Sequence, residues 1–146
     1  MMKFFAKIIF FILSILNNVV SFITKKDFIN YLYDFLRQNY SKKKIGNKNA
    51  IFFTPSKISK WRVETLYEKE PETIKFIETM KNDGVFFDIG ANIGIYSIFA
   101  GLKKNKLKVF AFEPSALNFA LLSRNIYINN LSNRVSIIQL PLGKKF

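Results

Sequence analysis

The second half of the chain constrains its fold most, because short apolar runs alternate there with segments of helical period. Val85-Phe86-Phe87-Asp88-Ile89 reads as a short strand of the buried type, Ile93 to Leu102 as a helix, and Leu107 to Phe112 as a second strand. Leu117 to Asn130 reads as a second helix, with Leu121, Leu122, Ile126 and Ile128 as its core face, and Val135 to Gln139 as a third strand. Strands that alternate with helices across short loops form crossovers rather than hairpins, and two in succession give an α/β fold with a parallel βαβαβ sheet of Rossmann type. Upstream, Pro71 after Glu70 marks a helix start. Ile74, Ile77 and Met80 give that helix an inward face, and Asn82-Asp83-Gly84 ends it.

Asp88-Ile89-Gly90-Ala91-Asn92-Ile93-Gly94 falls where the first of these strands meets its helix, the place at which a doubly wound sheet binds its nucleotide. Gly90 and Gly94 permit a tight turn and the approach of a ligand to the amides at the helix start. The second strand ends at Phe112-Glu113-Pro114, so Glu113 is placed to accept hydrogen bonds from both hydroxyls of a ribose. A dinucleotide fits poorly: Asn92 stands at the middle glycine of a G-x-G-x-x-G run and Ile95 at the last. Asp88 would also face the pyrophosphate, where one like-charge pair at ~5 Å and an effective dielectric of ~20 costs roughly 3 kcal/mol. S-adenosylmethionine reverses that sign, since its sulfonium and α-ammonium groups are cationic and would lie over Gly90 beside Asp88. A solvated strand-end acid, or a cap of the next helix, is the plainer role for Asp88 and ranks below cofactor contact in this constellation.

Composition narrows the chemistry. The 146 residues include no Cys and no His, which excludes a disulfide framework, Ser-His-Asp and Cys-His nucleophiles and the usual zinc hydrolases. No metal ligand set is expected. The net charge is +13, with 11 basic and 2 acidic residues in positions 1–60 against 12 and 8 in the rest. Such an excess can mark nucleic-acid or anionic-lipid binding. The basic residues are mostly Lys without Arg-aromatic interleaving, so compositional drift is favoured and no specific nucleic acid is expected.

Phe4 to Ile23 is mostly apolar. At helical spacing Lys3, Lys7, Ser14, Asn17, Asn18, Ser21 and Lys25 share an arc of roughly 100°, with Phe10 as the one intruder, which predicts an amphipathic helix. A transmembrane helix ranks second because Asn17 and Asn18 would lie inside the bilayer, and a signal peptide third because no small-x-small site follows. A helix packed on its own domain competes equally with membrane contact. Asp27 to Tyr40 repeats the helical pattern, with Asp27 as N-cap and Phe28, Leu32, Phe35 and Leu36 on one side. Ser41 to Asn49 lacks periodicity and reads as an exposed linker, and Ala50 to Thr54 as a short strand. The expected organisation is a basic helical extension and linker over 1–49 and a Rossmann-like domain over 50–146.

The run from Val85 through Gly94 to Ser97, with Ala111-Phe112-Glu113-Pro114, Asn118-Phe119, Leu121-Leu122 and Asn125, closely resembles the FkbM-like methyltransferases over roughly residues 85–143. The upstream Lys69-Glu70-Pro71-Glu72-Thr73 is similar to a segment that precedes this motif in some members. The resemblance implies a class I methyltransferase fold, S-adenosylmethionine as cofactor, and methyl transfer to a hydroxyl oxygen of a sugar, glycan or secondary metabolite. Carried over by position, Asp88, Gly90, Asn92 and Gly94 line the methionine end of the cofactor, Glu113 holds the ribose and Pro114 follows it. Ser115 stands where Asn or Asp is common, and Pro141-Leu142-Gly143 replaces Ala-Leu-Gly.

By the same resemblance the sheet would have seven strands, of which the chain supplies the first three. The first strand is then expected to keep an open edge that invites self-association, and the acceptor pocket and catalytic base to be missing. No catalytic residue is identifiable; Tyr96 near the turn reads as packing. The truncated chain is expected to show no methyl transfer of its own. The competing reading is a non-catalytic relic whose basic N-terminus binds a membrane surface or nucleic acid. The expected location is cytoplasmic, with peripheral membrane contact through residues 1–25.

Overall fold

The computed structural model describes residues 2–36 and 39–141, excluding the side chains of 34–36. The Leu142-Gly143 part of the family departure, and the side chains of Phe35 and Leu36, lie outside these described residues. The chain forms two compact units, Met1–Asn39 and Tyr40–Phe146.

The first unit is a pair of helices, α1 (Met2–Thr24) and α2 (Phe28–Leu36). Asp27 caps α2 as its position predicted: its Oδ1 accepts from Asn30 N at 3.2 Å and its Oδ2 from Asn30 Nδ2 at 2.8 Å. The helix does not reach Tyr40, which instead opens a strand.

The second unit begins with a correction. Residues 41–49, expected as an exposed linker, form most of an antiparallel hairpin of β1 (Tyr40–Ile45) and β2 (Lys48–Phe53). The division of the chain therefore lies at residue 39 rather than near 50. Gly46, with φ of 57°, takes the first central position of the two-residue turn, where a left-handed residue matches the strand twist. The lysine run conceals an alternation in which Ser41, Lys43 and Ile45 turn inward. Lys43 buries its stem while its ammonium donates to the Glu64 carbonyl and lies 5.5 Å from the centre of the Tyr67 ring.

A further helix that the sequence reading did not separate, α3 (Lys57–Glu64), starts in a capping box: Ser56 Oγ accepts from Ser59 N at 3.1 Å and Ser59 Oγ from Ser56 N at 3.0 Å. After it come α4 (Pro71–Thr79), β3 (Val85–Ile89), α5 (Ile95–Lys103), β4 (Lys108–Phe112), α6 (Ala116–Ile128) and β5 (Val135–Ile138). The last three strands form a parallel sheet in the order β3-β4-β5, paired Val85 to Lys108 and Val109 to Val135 at their starts. This is the βαβαβ unit expected from the alternation.

Both crossovers step the same way across the sheet, so right-handed connections put α5 and α6 on one face. Phe86, Val109, Ala111 and Val135 meet Ile98, Phe99, Leu122 and Ile126 in a core that also takes in Phe52 and Ile77. β3 is thus buried on one face only, not on both: Phe87 and Ile89 are 58% and 65% exposed, with Phe87 stacked on Phe110 at 5.5 Å. β3 is also an edge strand among the described residues.

The free side of β2 is held by amide side chains of α6. Asn129 Oδ1 accepts from Ile51 N at 3.0 Å while its Nδ2 donates to Ile51 O at 2.7 Å. Asn129→Ala should cost about 1 kcal/mol, the net worth of a partly exposed hydrogen bond, seen as a lower urea midpoint with an unchanged slope.

Candidate functional site

The junction of β3 and α5 is built from alternating left-handed residues. Gly90, Asn92 and Gly94 have φ of 78°, 52° and 85°. Asn is among the few side chains that tolerate this region, so the run from Gly90 to Gly94 coils tightly before the helix starts. Gly94 is fixed by packing as well as by backbone: a Cβ there would stand 2.6 Å from Leu122 Cδ1, in the fully buried contact between α5 and α6. A Cβ on Gly90 would meet nothing within 4 Å, since this residue faces open space.

The turn is closed by hydrogen bonds to the end of β4. Gly90 N and Ala91 N both donate to Phe112 O at 2.9 Å, and Gly94 N donates to Ala91 O at 2.8 Å. Asn92 N donates to Glu113 Oε2 at 2.8 Å. Four amides of the turn, those of Gly90, Ala91, Asn92 and Gly94, are therefore already engaged. A phosphate would find these N–H groups of the turn taken, so the geometry opposes a dinucleotide more strongly than the missing glycines did.

Glu113 is buried at the centre of this bracing. Beyond Asn92, its Oε1 accepts from Ser115 N at 2.9 Å and from Asn118 Nδ2 at 3.4 Å. Ser115 in turn accepts from Asn118 N and caps α6, with Pro114 between the acid and the cap. Three of the roughly four acceptor positions of the carboxylate are used, so the expectation that it accepts from both hydroxyls of a ribose is cut to one at most.

Asp88 occupies the last inward position of β3. It is buried, and its Oδ2 accepts from Ser97 Oγ at 2.5 Å across to α5. Burial pushes its carboxyl above the usual carboxylate range; the Ser97 hydrogen bond opposes that, and the nearby charges of Glu70 and Glu113 add to it. No ion pair to Asp88 exists among the described residues. Next to it, Tyr96 is pushed up to about 12 by burial and by the charge and hydrogen bond of Glu70, so its hydroxyl stays protonated at neutral pH.

These residues line a cleft of about 600 Å³ between α4, the end of β3 and the start of α5. Asp88, Gly90 and Asn92 are on its wall with Tyr96, whereas Gly94, Glu113 and Pro114 stand behind the turn and shape it. Arg62 and Lys69 face Glu70, Glu72 and Asp88 there, an excess of one carboxylate in a chain of net charge +13. Lys69 is paired with Glu70 at 3.0 Å. The cleft thus has room for a ligand of moderate size, with a preference for positive charge near Asp88.

Asn125 is the residue that sequence reasoning valued too little. Fully buried, it donates through Nδ2 to Ile93 O at 2.9 Å and accepts at Oδ1 from Phe53 N at 2.7 Å, which joins the turn to the hairpin. The signal was an amide among the apolar residues Leu122 and Ile126 on the inward face of one helix.

No protein-family model matches the chain. Relatives with established names are methyltransferases. The chain is 43% identical over 51 residues to the 31-O-demethyl-FK506 methyltransferase FkbM of Streptomyces tacrolimicus, covering 35% of this chain and 20% of that one. It is 33% identical over 67 residues to methyltransferase sdnD of Sordaria araneosa, covering 46% and 26%. The hexuronic acid methyltransferase AglP of Haloferax volcanii is 34% identical over 65 residues, covering 44% and 26%. The matched stretch spans at most about a quarter of the length of these three relatives. Among solved structures, Pyrococcus horikoshii TYW2 in complex with MeSAdo aligns with a TM-score of 0.50 and 19% identity, over 71% of this chain and 37% of that one. A second transferase structure from that organism aligns at 0.51 and 21%, with the same coverages. The resemblance to FkbM-like methyltransferases and the Rossmann-like fold read from the sequence are both borne out.

Proposed function

We propose that the cleft beside Gly90 binds S-adenosylmethionine and that the chain serves methyl transfer to a hydroxyl oxygen of a sugar, glycan or secondary metabolite. The observation that carries the reading is Asp88: a buried carboxylate with no cationic partner among the described residues, beside a turn in which four amides are engaged. When bound, S-adenosylmethionine supplies an electrophilic methyl carbon on a cationic sulfur. Asp88 holds the positive end of the cofactor and Ser97 fixes the carboxylate that does so. Glu113 stands behind the wall of the cleft and acts on the ligand by setting the turn through Asn92. Tyr96, protonated and bound to Glu70, orients that acid and takes no proton from the acceptor. The acceptor class rests on the activities that the names of the FkbM and AglP relatives state.

Titration calorimetry with S-adenosylhomocysteine and with NAD tests the proposal on the chain as it stands. Binding of the first and not the second is expected. Glu113→Gln, which turns an acceptor into a donor against backbone N–H groups, should weaken it by about 1.5–3 kcal/mol, or about 10- to 150-fold. Preference for NAD, or equal affinity in the variant, would reject the assignment. Labelled S-adenosylmethionine with a panel of sugars and glycans should give no transfer by this chain alone, and label above the Glu113 variant would show that it carries a complete active site.

A further inference from the structure

The two helices of the first unit pack with their polarity inverted. In a water-soluble pair the apolar stripe of one helix is buried against the other and the polar face is left to solvent. Here α2 covers part of the polar side of α1 together with two apolar positions beside it. The half-buried residues of α1 are Leu13, Ser14, Asn17, Val20 and Ser21, the set that faces α2, and Asn17 Oδ1 accepts from Ile29 N at 2.8 Å in the first turn of α2. The hydroxyls along the same side are satisfied as well: Ser14 Oγ donates to Phe10 O at 2.9 Å, Ser21 Oγ to Lys26 O at 2.8 Å and Thr24 Oγ1 to Val20 O at 2.8 Å.

On the opposite side, Phe4, Phe11, Ile12, Ile15, Val19 and Phe22 belong to an apolar arc of about 180° that is exposed along the whole of α1. The helix is about 35 Å long at 1.5 Å per residue, and no acidic residue occurs before Asp27. Lys3 and Lys7 lie outside this arc on the polar side of the helix, and Lys25 and Lys26 follow its last turn. Lys25 extends its ammonium over the Phe22 ring at 5.3 Å, as a side chain does when its stem is apolar and its head wet.

We infer that α1 lies in the plane of an anionic lipid surface, its apolar arc among the acyl chains and α2 on its water-facing side. Asn17, one of the two amides that count against a spanning helix, is bound by α2 rather than offered to lipid. Length and hydropathy alone would let α1 span a bilayer, and its polar side argues for lying in the surface. Lys7 and Asn18 are exposed on the polar side, where a spanning helix would place them in hydrocarbon and an in-plane helix sets them at the headgroups. The lysines supply the attraction to anionic lipid, and the apolar arc supplies the burial.

The test is cosedimentation of the full chain with phosphatidylcholine vesicles, with and without phosphatidylglycerol. Ile12→Asp/Val19→Asp puts two charges in the middle of the exposed arc, and Asn18→Lys adds a cation at the headgroup side. Expected are binding favoured by phosphatidylglycerol, weakened by salt and released by alkaline carbonate; loss of at least about tenfold in the double variant; and a gain in Asn18→Lys. Helix content by circular dichroism and S-adenosylhomocysteine affinity should stay at the parent's level in both variants. A parent chain that remains in the supernatant, carbonate-resistant insertion, or equal binding by parent and double variant overturns the inference. So does self-association without vesicles that the double variant abolishes, which would assign the arc to a second copy.

Discussion

Asp88→Asn should make the protein more stable and at the same time remove most of its affinity for S-adenosylmethionine. Buried beside Glu70 and Glu113, the Asp88 carboxyl ionises less readily in the fold than in the unfolded chain. A group raised in this way contributes stability that is fully present below its unfolded value near 3.8 and is lost as pH rises through its folded value. Asn carries no charge at any pH yet can still accept from Ser97, so it escapes that loss. Thermal midpoints of parent and variant should therefore be close in acid and diverge as pH rises toward neutral, the variant being the higher. The ligand works in the opposite direction: loss of the carboxylate facing a cation should weaken binding by about 1.5–3 kcal/mol or more. For the parent, affinity should fall as pH drops through the raised Asp88 value, because the protonated acid offers the cation no charge. A variant with full affinity, or a parent whose stability gains on the variant as pH rises, would remove Asp88 from the proposed role.

The two glycines of the turn should separate folding from binding. In Gly94→Ala the new methyl meets Leu122 Cδ1 at 2.6 Å, and Leu122 is fully buried, so it must repack within the core to make room. Left-handed backbone at φ 85° adds about 1–2 kcal/mol for a non-glycine residue, and overpacking adds about 1–3. The sum is a large fraction of a typical stability of about 5–15 kcal/mol, and a much lower urea midpoint is expected. Gly90→Ala carries only the backbone cost, at φ 78° with open space around its methyl. It should fold almost normally and lose cofactor affinity, because that methyl projects into the proposed binding space. Equal destabilisation by the two substitutions would mean that Leu122 can repack, and undiminished affinity in Gly90→Ala would move the ligand elsewhere.

The same contrast divides what was legible in the sequence from what was not. Val85–Ile89, Lys108–Phe112 and Val135–Ile138 were readable as strands, and their helices as crossovers, because periodicity and turn residues act locally. The motif from Asp88 to Gly94 was readable for the same reason: its left-handed positions are encoded by Gly and Asn within one short run. Of the hairpin over Tyr40–Phe53 only the second strand was, read as Ala50 to Thr54, since Lys43 counts as a surface residue until its stem is seen buried beside Tyr67. Nor could the sequence say that Glu113 would brace Asn92 or that Asn125 would bind Ile93 and Phe53, because those partners lie 21, 32 and 72 residues away. Local order follows from the sterics and hydrophobic period of neighbouring residues. Which buried polar groups find each other is decided only when the chain closes, because burial obliges each donor and acceptor to take whatever partner the tertiary fold brings within reach.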